Sequence, residues 1–170
     1  LDEVQHKNSC HSREVLEACR SLDGHMGLLL ETVGEDADTI VVSDHGQRNA
    51  ENRINLHLAL RGLRLDALDS DGGTAKLKLG KNERVENALE VLSSLRGIDH
   101  VLDQSEVRNR RAFFEPYTVN DIRVHPPDLM IDPKENWTFD YRGPLYSKKL
   151  AGDHGGIGEQ ELHNTLILHG

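Results

Sequence analysis

Ser43-Asp44-His45-Gly46 directly follows the apolar run Thr39-Ile40-Val41-Val42. The run reads as a buried strand, so an acid and an imidazole stand side by side at its C-terminal end, where open α/β sheets place their sites. A carboxylate and a neutral imidazole are both good zinc ligands. A second histidine-glycine pair, His154-Gly155, lies far downstream between Gly152 and Gly156, and Asp2-x-x-x-His6 opens the chain. Each has an ordinary explanation, because Asp and Gly are turn residues and glycine permits positive φ. Taken singly, the turn is the stronger reading. Their coincidence shifts the balance: all three clusters carry a histidine, two place glycine directly after it, and one stands at a strand end. Together they point to a metallohydrolase.

The elements that must position these residues can be read along the chain. Ser12 to about Val33 carries Val15, Leu16, Cys19, Leu22 and Met26 at helical spacing and predicts a helix packed on a sheet. Thr39 to Ser43 is the central strand, and Gln47 to Glu51 reads as polar loop. Ile54 to Leu65 fits either period; helix formers and Gly62 favour a helix ending near that glycine. Asp69 to Gly73 reads as a turn, Thr74 to Leu79 as a strand, Asn82 to Leu95 as a helix with Val85, Ala88, Leu89 and Leu92 on one face, and His100 to Leu102 as a strand. From Ser105 to Asp132 the chain is polar, with apolar pieces at Ala112 to Phe114 and Leu129 to Ile131, and Pro126-Pro127 imposes an extended approach to the second. Pro133 to Leu150, with Trp137, reads as a surface excursion, and Leu166 to Leu168 as a closing strand. Alternating strands and helices predict an α/β layered sheet.

Composition narrows the function. With 170 residues, 36% of them hydrophobic, one globular domain with a real core is expected. A net charge of −9 argues against a nucleic-acid backbone as partner. No apolar stretch has membrane-spanning length. Cys10 and Cys19, nine positions apart in the same predicted helix, point to opposite faces and offer neither a disulfide framework nor a CxxC pair, so a metal here must be held by His and Asp. The first residue is Leu rather than Met, and the last strand-like run stops almost at the C-terminus. These ends suggest a fragment, whose sheet is then expected to expose apolar side chains.

Asp2-x-x-x-His6, the segment Asp23 to Gly27, Ile40-Val41-Val42-Ser43-Asp44-His45-Gly46 and Gly152-x-His154-Gly155 stand in the order found in type I phosphodiesterases/nucleotide pyrophosphatases of the alkaline phosphatase superfamily. Gly72-Gly73-Thr74-Ala75 and Pro127-Asp128-Leu129 add to this, so the chain resembles that family over nearly its whole length. The resemblance implies an alkaline-phosphatase-like α/β layered domain, a central mixed sheet flanked by helices and incomplete at its N-terminal side, with residues 1–170 forming the C-terminal portion of a single metallohydrolase catalytic domain. It implies two divalent metal ions, zinc with Mn²⁺ as a substitute: Asp2, His6 and His154 on one, Asp44 and His45 contributing to the other. The Thr or Ser nucleophile would lie upstream of residue 1, and the substrate would be a small phosphorylated molecule carrying a phosphodiester or pyrophosphate bond. Gln5 departs from the usual glycine and Gln47 from a common methionine, and Asp153 is expected in a supporting or turn role. A phosphonate hydrolase, a phosphomonoesterase or a phosphomutase would use nearly the same ligands, and a non-catalytic metal-binding pseudoenzyme is the reading from a different class. The five side chains are expected to converge in one shallow cleft. His163 is expected to hold no metal.

Overall fold

A computed structural model describes residues 1–34, 37–70, 72–109, 118–119, 122–123 and 127–169. In chain order the elements are α1 (Asp2–Lys7), α2 (Arg13–Val33), β1 (Thr39–Val42), β2 (Arg48–Ile54), α3 (Leu56–Ala59), β3 (Leu65–Asp69), β4 (Ala75–Leu79), α4 (Val85–Ser93) and β5 (Ile98–Asp103). They continue as α5 (Gln104–Asn109), β6 (Thr118–Val119), β7 (Ile122–Arg123), β8 (Leu129–Pro133), β9 (Asn136–Phe139), β10 (Tyr146–Asp153), α6 (Glu159–Leu162) and β11 (Leu166–His169). The architecture is mixed α/β. The chain groups into two compact units: residues 1–51 with 148–170, and residues 52–147.

The second unit owes its cohesion to apolar burial. Its four-stranded sheet runs β3-β4-β8-β5, with every pairing antiparallel. In β4, Ala75, Leu77 and Leu79 alternate inward, as a strand with one face on a core must. Across the ladder Ala75 pairs with Ile131 and Leu77 with Leu129. Ala88 and Leu92, one turn apart on α4, are buried in the same cluster as Ile54, Leu56, Leu60 and Phe139. Asn55 caps α3 by accepting from the Leu58 amide, while its own amide donates to the Tyr141 and Gly143 carbonyls.

The first unit is built differently. Its buried side chains are Val15, Arg48, Ala50, Ala151 and Glu161, a short and partly ionic set. In β1, Ile40 and Val42 lie on the exposed face rather than in a core, because among the described residues β1 pairs only with β11, in a two-stranded ribbon. Ile40 faces Leu168 and Val42 faces Leu166 across that ribbon, all four being exposed. The buried central strand expected at Thr39 to Ser43 is thus corrected to an amphipathic edge ribbon.

Other sequence expectations change for physical reasons. Of Gln47 to Glu51, read as loop, Arg48 to Glu51 opens β2, whose buried Arg48 is matched by an acid that local sequence does not display. The helix expected from Ile54 is only one turn long, its first residue being the end of β2. Pro133 to Leu150 is no surface excursion: β9 buries Thr138 and Phe139, and Trp137 meets Tyr146 edge-on at 6.0 Å. The helix from Ser12 exists, with the Ser12 hydroxyl accepting from the Val15 amide. Among the described residues it buries Val15 alone, leaving Leu16, Leu22, Leu28 and Leu29 exposed, so the expected packing on a sheet is not observed. Cys10 precedes α2 rather than sharing it with Cys19, and both thiols are free. The apolar piece at 112–114 and Pro126 lie outside the described residues. No helix among the described residues is long and apolar enough to cross a membrane.

The exposed ladder Ile40, Val42, Leu166 and Leu168 makes a contiguous apolar strip on an open ribbon, which favours self-association. These 170 residues expressed alone are expected to form concentration-dependent oligomers in sedimentation velocity, and Ile40→Thr with Leu168→Lys to shift them toward monomer.

Candidate metal centre

Asp2 and His6 lie four residues apart on α1, so helical geometry alone places both side chains on one face. His6 Nε2 stands 3.4 Å from Asp2 Oδ1. The chain then returns through β10, whose last residues deliver His154 to the same carboxylate, with His154 Nε2 3.5 Å from Asp2 Oδ1. One ligand atom from each of Asp2, His6 and His154 lies within 4.8 Å of the others. Around a tetrahedral zinc ion with bonds of about 2.0–2.1 Å, neighbouring donors sit about 3.4 Å apart, so the two separations from Asp2 suit a shared cation.

Gly152 explains how α1 comes so close to β10. Its amide donates to the Asn8 carbonyl at 2.8 Å, and its carbonyl accepts from His6 Nδ1 at 3.1 Å. A Cβ on Gly152 would lie 2.9 Å from the Gln5 carbonyl oxygen and 3.0 Å from Cys10 Sγ. Since a carbonyl only accepts, His6 Nδ1 carries a proton, and Nε2 is the ring nitrogen that faces Asp2.

His45 repeats the device on the other side. Its Nδ1 donates to the Gly46 carbonyl at 2.9 Å, and its Nε2 stands 3.6 Å from Asp44 Oδ1. The His45 ring stacks on the His154 ring with centroids 3.8 Å apart and planes inclined by 18°, while His6 meets His154 at 4.9 Å. All five sequence-predicted residues therefore come together, as a compact trio of Asp2, His6 and His154 and an adjoining pair of Asp44 and His45. Asp44 is the outlying member, its side chain being 90% exposed. Asp153 accepts from the His154 amide at 2.9 Å, which fits its expected supporting role. His163 is exposed, 3.9 Å from Glu159, and outside the trio.

Burial first, then the neighbouring His45 and His6 imidazoles, hold the His154 proton affinity below its ordinary value, against the pull of the Asp2 carboxylate. The neutral, metal-competent ring is thus favoured.

Sequence reasoning missed what braces the loops. Gly46 reads as a turn residue or as room beside a metal, yet a Cβ there would fall 2.0 Å from the Gln160 carbonyl oxygen and 2.3 Å from that of His163. Its amide donates to the Glu161 carbonyl at 2.8 Å. Arg48 and Glu161, neither singled out by motif, form a buried ion pair at 2.7 Å. Nothing in the local sequence signals either one, since Arg48 stands in a polar run that reads as loop.

Two outcomes follow from this geometry. Gly46→Ala is expected to displace the His45 loop from α6 and lower the melting temperature by several degrees in a thermal scan, because backbone, not a flexible side chain, occupies the needed space. In the metal-free protein, NMR titration of His154 is expected to give a midpoint below 6.5, and Asp2→Asn to lower it further by removing the group that favours imidazolium. The sign for stability is the same: the unfolded chain binds this proton more tightly, so stability is lost as pH falls through the ordinary histidine value.

The chain resembles two crystal structures of phosphonoacetate hydrolase from Sinorhizobium meliloti 1021, one in complex with phosphonoacetate and one with phosphonoformate. Each is 21% identical and superposes over 98% of this chain, with TM-scores of 0.61 and 0.62. The superposition covers 43% of the hydrolase chain, so the present chain spans less than half the length of those relatives. The likeness establishes an alkaline-phosphatase-like α/β fold. No curated protein matches the sequence. The model of the family "Type I phosphodiesterase / nucleotide pyrophosphatase" matches residues 1–157, which include both histidine-glycine loops and the Asp2–His6 pair. The chain belongs to the type I phosphodiesterase/nucleotide pyrophosphatase family.

Proposed function

We propose that this chain carries the metal-binding part of a metal-dependent hydrolase of phosphodiester or nucleotide pyrophosphate bonds. The observation that supports it most directly is the meeting of Asp2 and His6 with His154, nearly the whole chain away in sequence, at the spacing of donors around one cation. The donor set fits: one carboxylate and two imidazoles converge, with His6 Nδ1 occupied by a backbone carbonyl so that Nε2 faces inward. On this reading Asp2, His6 and His154 hold one divalent ion, and Asp44 and His45 contribute to a second. Imidazole with carboxylate favours Zn²⁺, with Mn²⁺ as the alternative. When bound, such ions polarise phosphoryl oxygens and lower the pKa of a hydroxyl nucleophile.

The chain's own residues supply the frame. Asp2 provides the anionic donor shared by two histidines, the Gly152 and Gly46 carbonyls hold their histidines in the Nδ1-protonated form, and the stacked His45 and His154 rings leave no room for water between them. The Thr or Ser nucleophile lies outside these 170 residues, and the two units are parts of one catalytic domain. A phosphonate hydrolase is the second reading, favoured by the phosphonate ligands named for the solved relatives.

The test uses the parent protein that contains this chain. His154→Ala or Asp44→Ala is expected to reduce turnover of an aryl phosphodiester by at least about 100-fold, the scale of several kcal/mol of lost charge stabilisation, and to lower bound zinc. His163→Ala should leave both near parental. Preferential turnover of phosphonoacetate over the diester would select the second reading. Parental zinc content and activity in both ligand variants would overturn the metal-centre assignment.

A further inference from the structure

Glu161 touches both histidine loops, with three different atoms. Its backbone carbonyl accepts from the Gly46 amide at 2.8 Å, one residue past His45. Carboxylate Oε1 accepts from the Gly156 amide at 2.7 Å, two residues past His154. Carboxylate Oε2 accepts from Arg48 Nε at 2.7 Å, at the start of the strand that leaves the His45 loop. The Glu161 and Arg48 side chains are only 3% and 9% exposed. The contacts are close on both sides: a Cβ at Gly156 would lie 2.5 Å from Glu161 Oε2, and one at Gly46 would strike the α6 backbone.

We propose that Glu161 is a positioning residue that sets the His45 ring against the His154 ring by clasping the two loops that carry them. Its consequence for metal binding rests on the function proposed above. A carboxylate suits the task because it can accept two hydrogen bonds on two oxygens while neutralising a buried guanidinium. An amide of the same length has one oxygen; its NH₂ must face either Arg48 Nε or the Gly156 amide, donor against donor. Neighbouring Glu159, with an exposed side chain beside His163, has none of these contacts and serves as an internal control.

The test measures ring placement and metal affinity separately in the full chain. In the metal-free protein, the nuclear Overhauser effect between His45 and His154 ring protons reports the stack, and the Trp137 and Tyr146 signals report an intact fold elsewhere. Zinc affinity is measured by competition with a chromophoric chelator. Glu161→Gln and Glu161→Ala are expected to lose the ring contact and weaken zinc binding roughly 10- to 100-fold, the usual effect of removing a group that orients a ligand. Val15→Ala, which removes apolar burial from α2 in the same unit, and Glu159→Ala are expected to retain both. Should Glu161→Ala fail to fold, Glu161→Gln decides by the same two readings. Persistence of the ring contact in the folded Glu161 variants, or its equal loss in Val15→Ala, overturns the proposal. Loss of the contact in a protein that binds no zinc even when unmutated would leave the positioning role standing and overturn the metal reading instead.

Discussion

The unit that holds the histidines buries one ion pair, Arg48 with Glu161, among few apolar side chains. Residues 52–147 bury a continuous set of Leu, Ile, Ala and Phe side chains, whereas the first unit has Val15, Ala50 and Ala151 beside Arg48 and Glu161. Two buried charges are expensive to desolvate, and a pair such as this adds little net stability over an apolar substitute. Removing one partner is a different matter, typically costing about 3–5 kcal/mol, because the other is left buried and uncompensated. The pair is thus a poor source of stability but a strong source of definition. It ties the start of β2 to α6, next to the loops that carry His45 and His154.

That definition matters because of what it holds together. His45 and His154 stack at 3.8 Å, which would be repulsive if both rings were charged. Burial depresses the proton affinity of His154, and the carbonyls of Gly46 and Gly152 fix which nitrogen of their histidines carries hydrogen. The three rings are therefore gathered, with Nδ1 of His6 and of His45 engaged by backbone, before any cation is bound. Preorganisation of this kind removes the ordering cost from the binding step. The glycines serve close backbone approach: α1 lies on Gly152 and α6 on Gly46, where a methyl group has no space.

The candidate donors were legible in the residue order because their chemistry is local. Asp2 and His6 share a helix face by spacing alone, and Asp44-His45 follows a run of β-branched residues that could only be a strand. The helix around Ala88 and Leu92 and the strand at Leu77 were equally readable, since each repeats its apolar residues at its own period. What failed was any inference about burial that needed a partner. Ile40 and Val42 look like core residues, yet among the described residues β1 pairs with β11 alone and turns them outward. Trp137 and Phe139 look like an excursion, but a strand forms there once Gly72 is opposite Phe139.

By itself, then, the sequence determined which side chains can bind a cation and which of them are neighbours along a helix or at a strand end. Only the tertiary structure decided that His154 reaches Asp2, that His45 stacks on His154, and that an arginine and a glutamate 113 residues apart are buried against each other. The reason is physical. Periodicity and turn chemistry act over a few residues and leave a trace in the local pattern, whereas a hydrogen bond between distant loops depends on how strands pair and pack. Arg48 looks like a surface residue until Glu161 is opposite it.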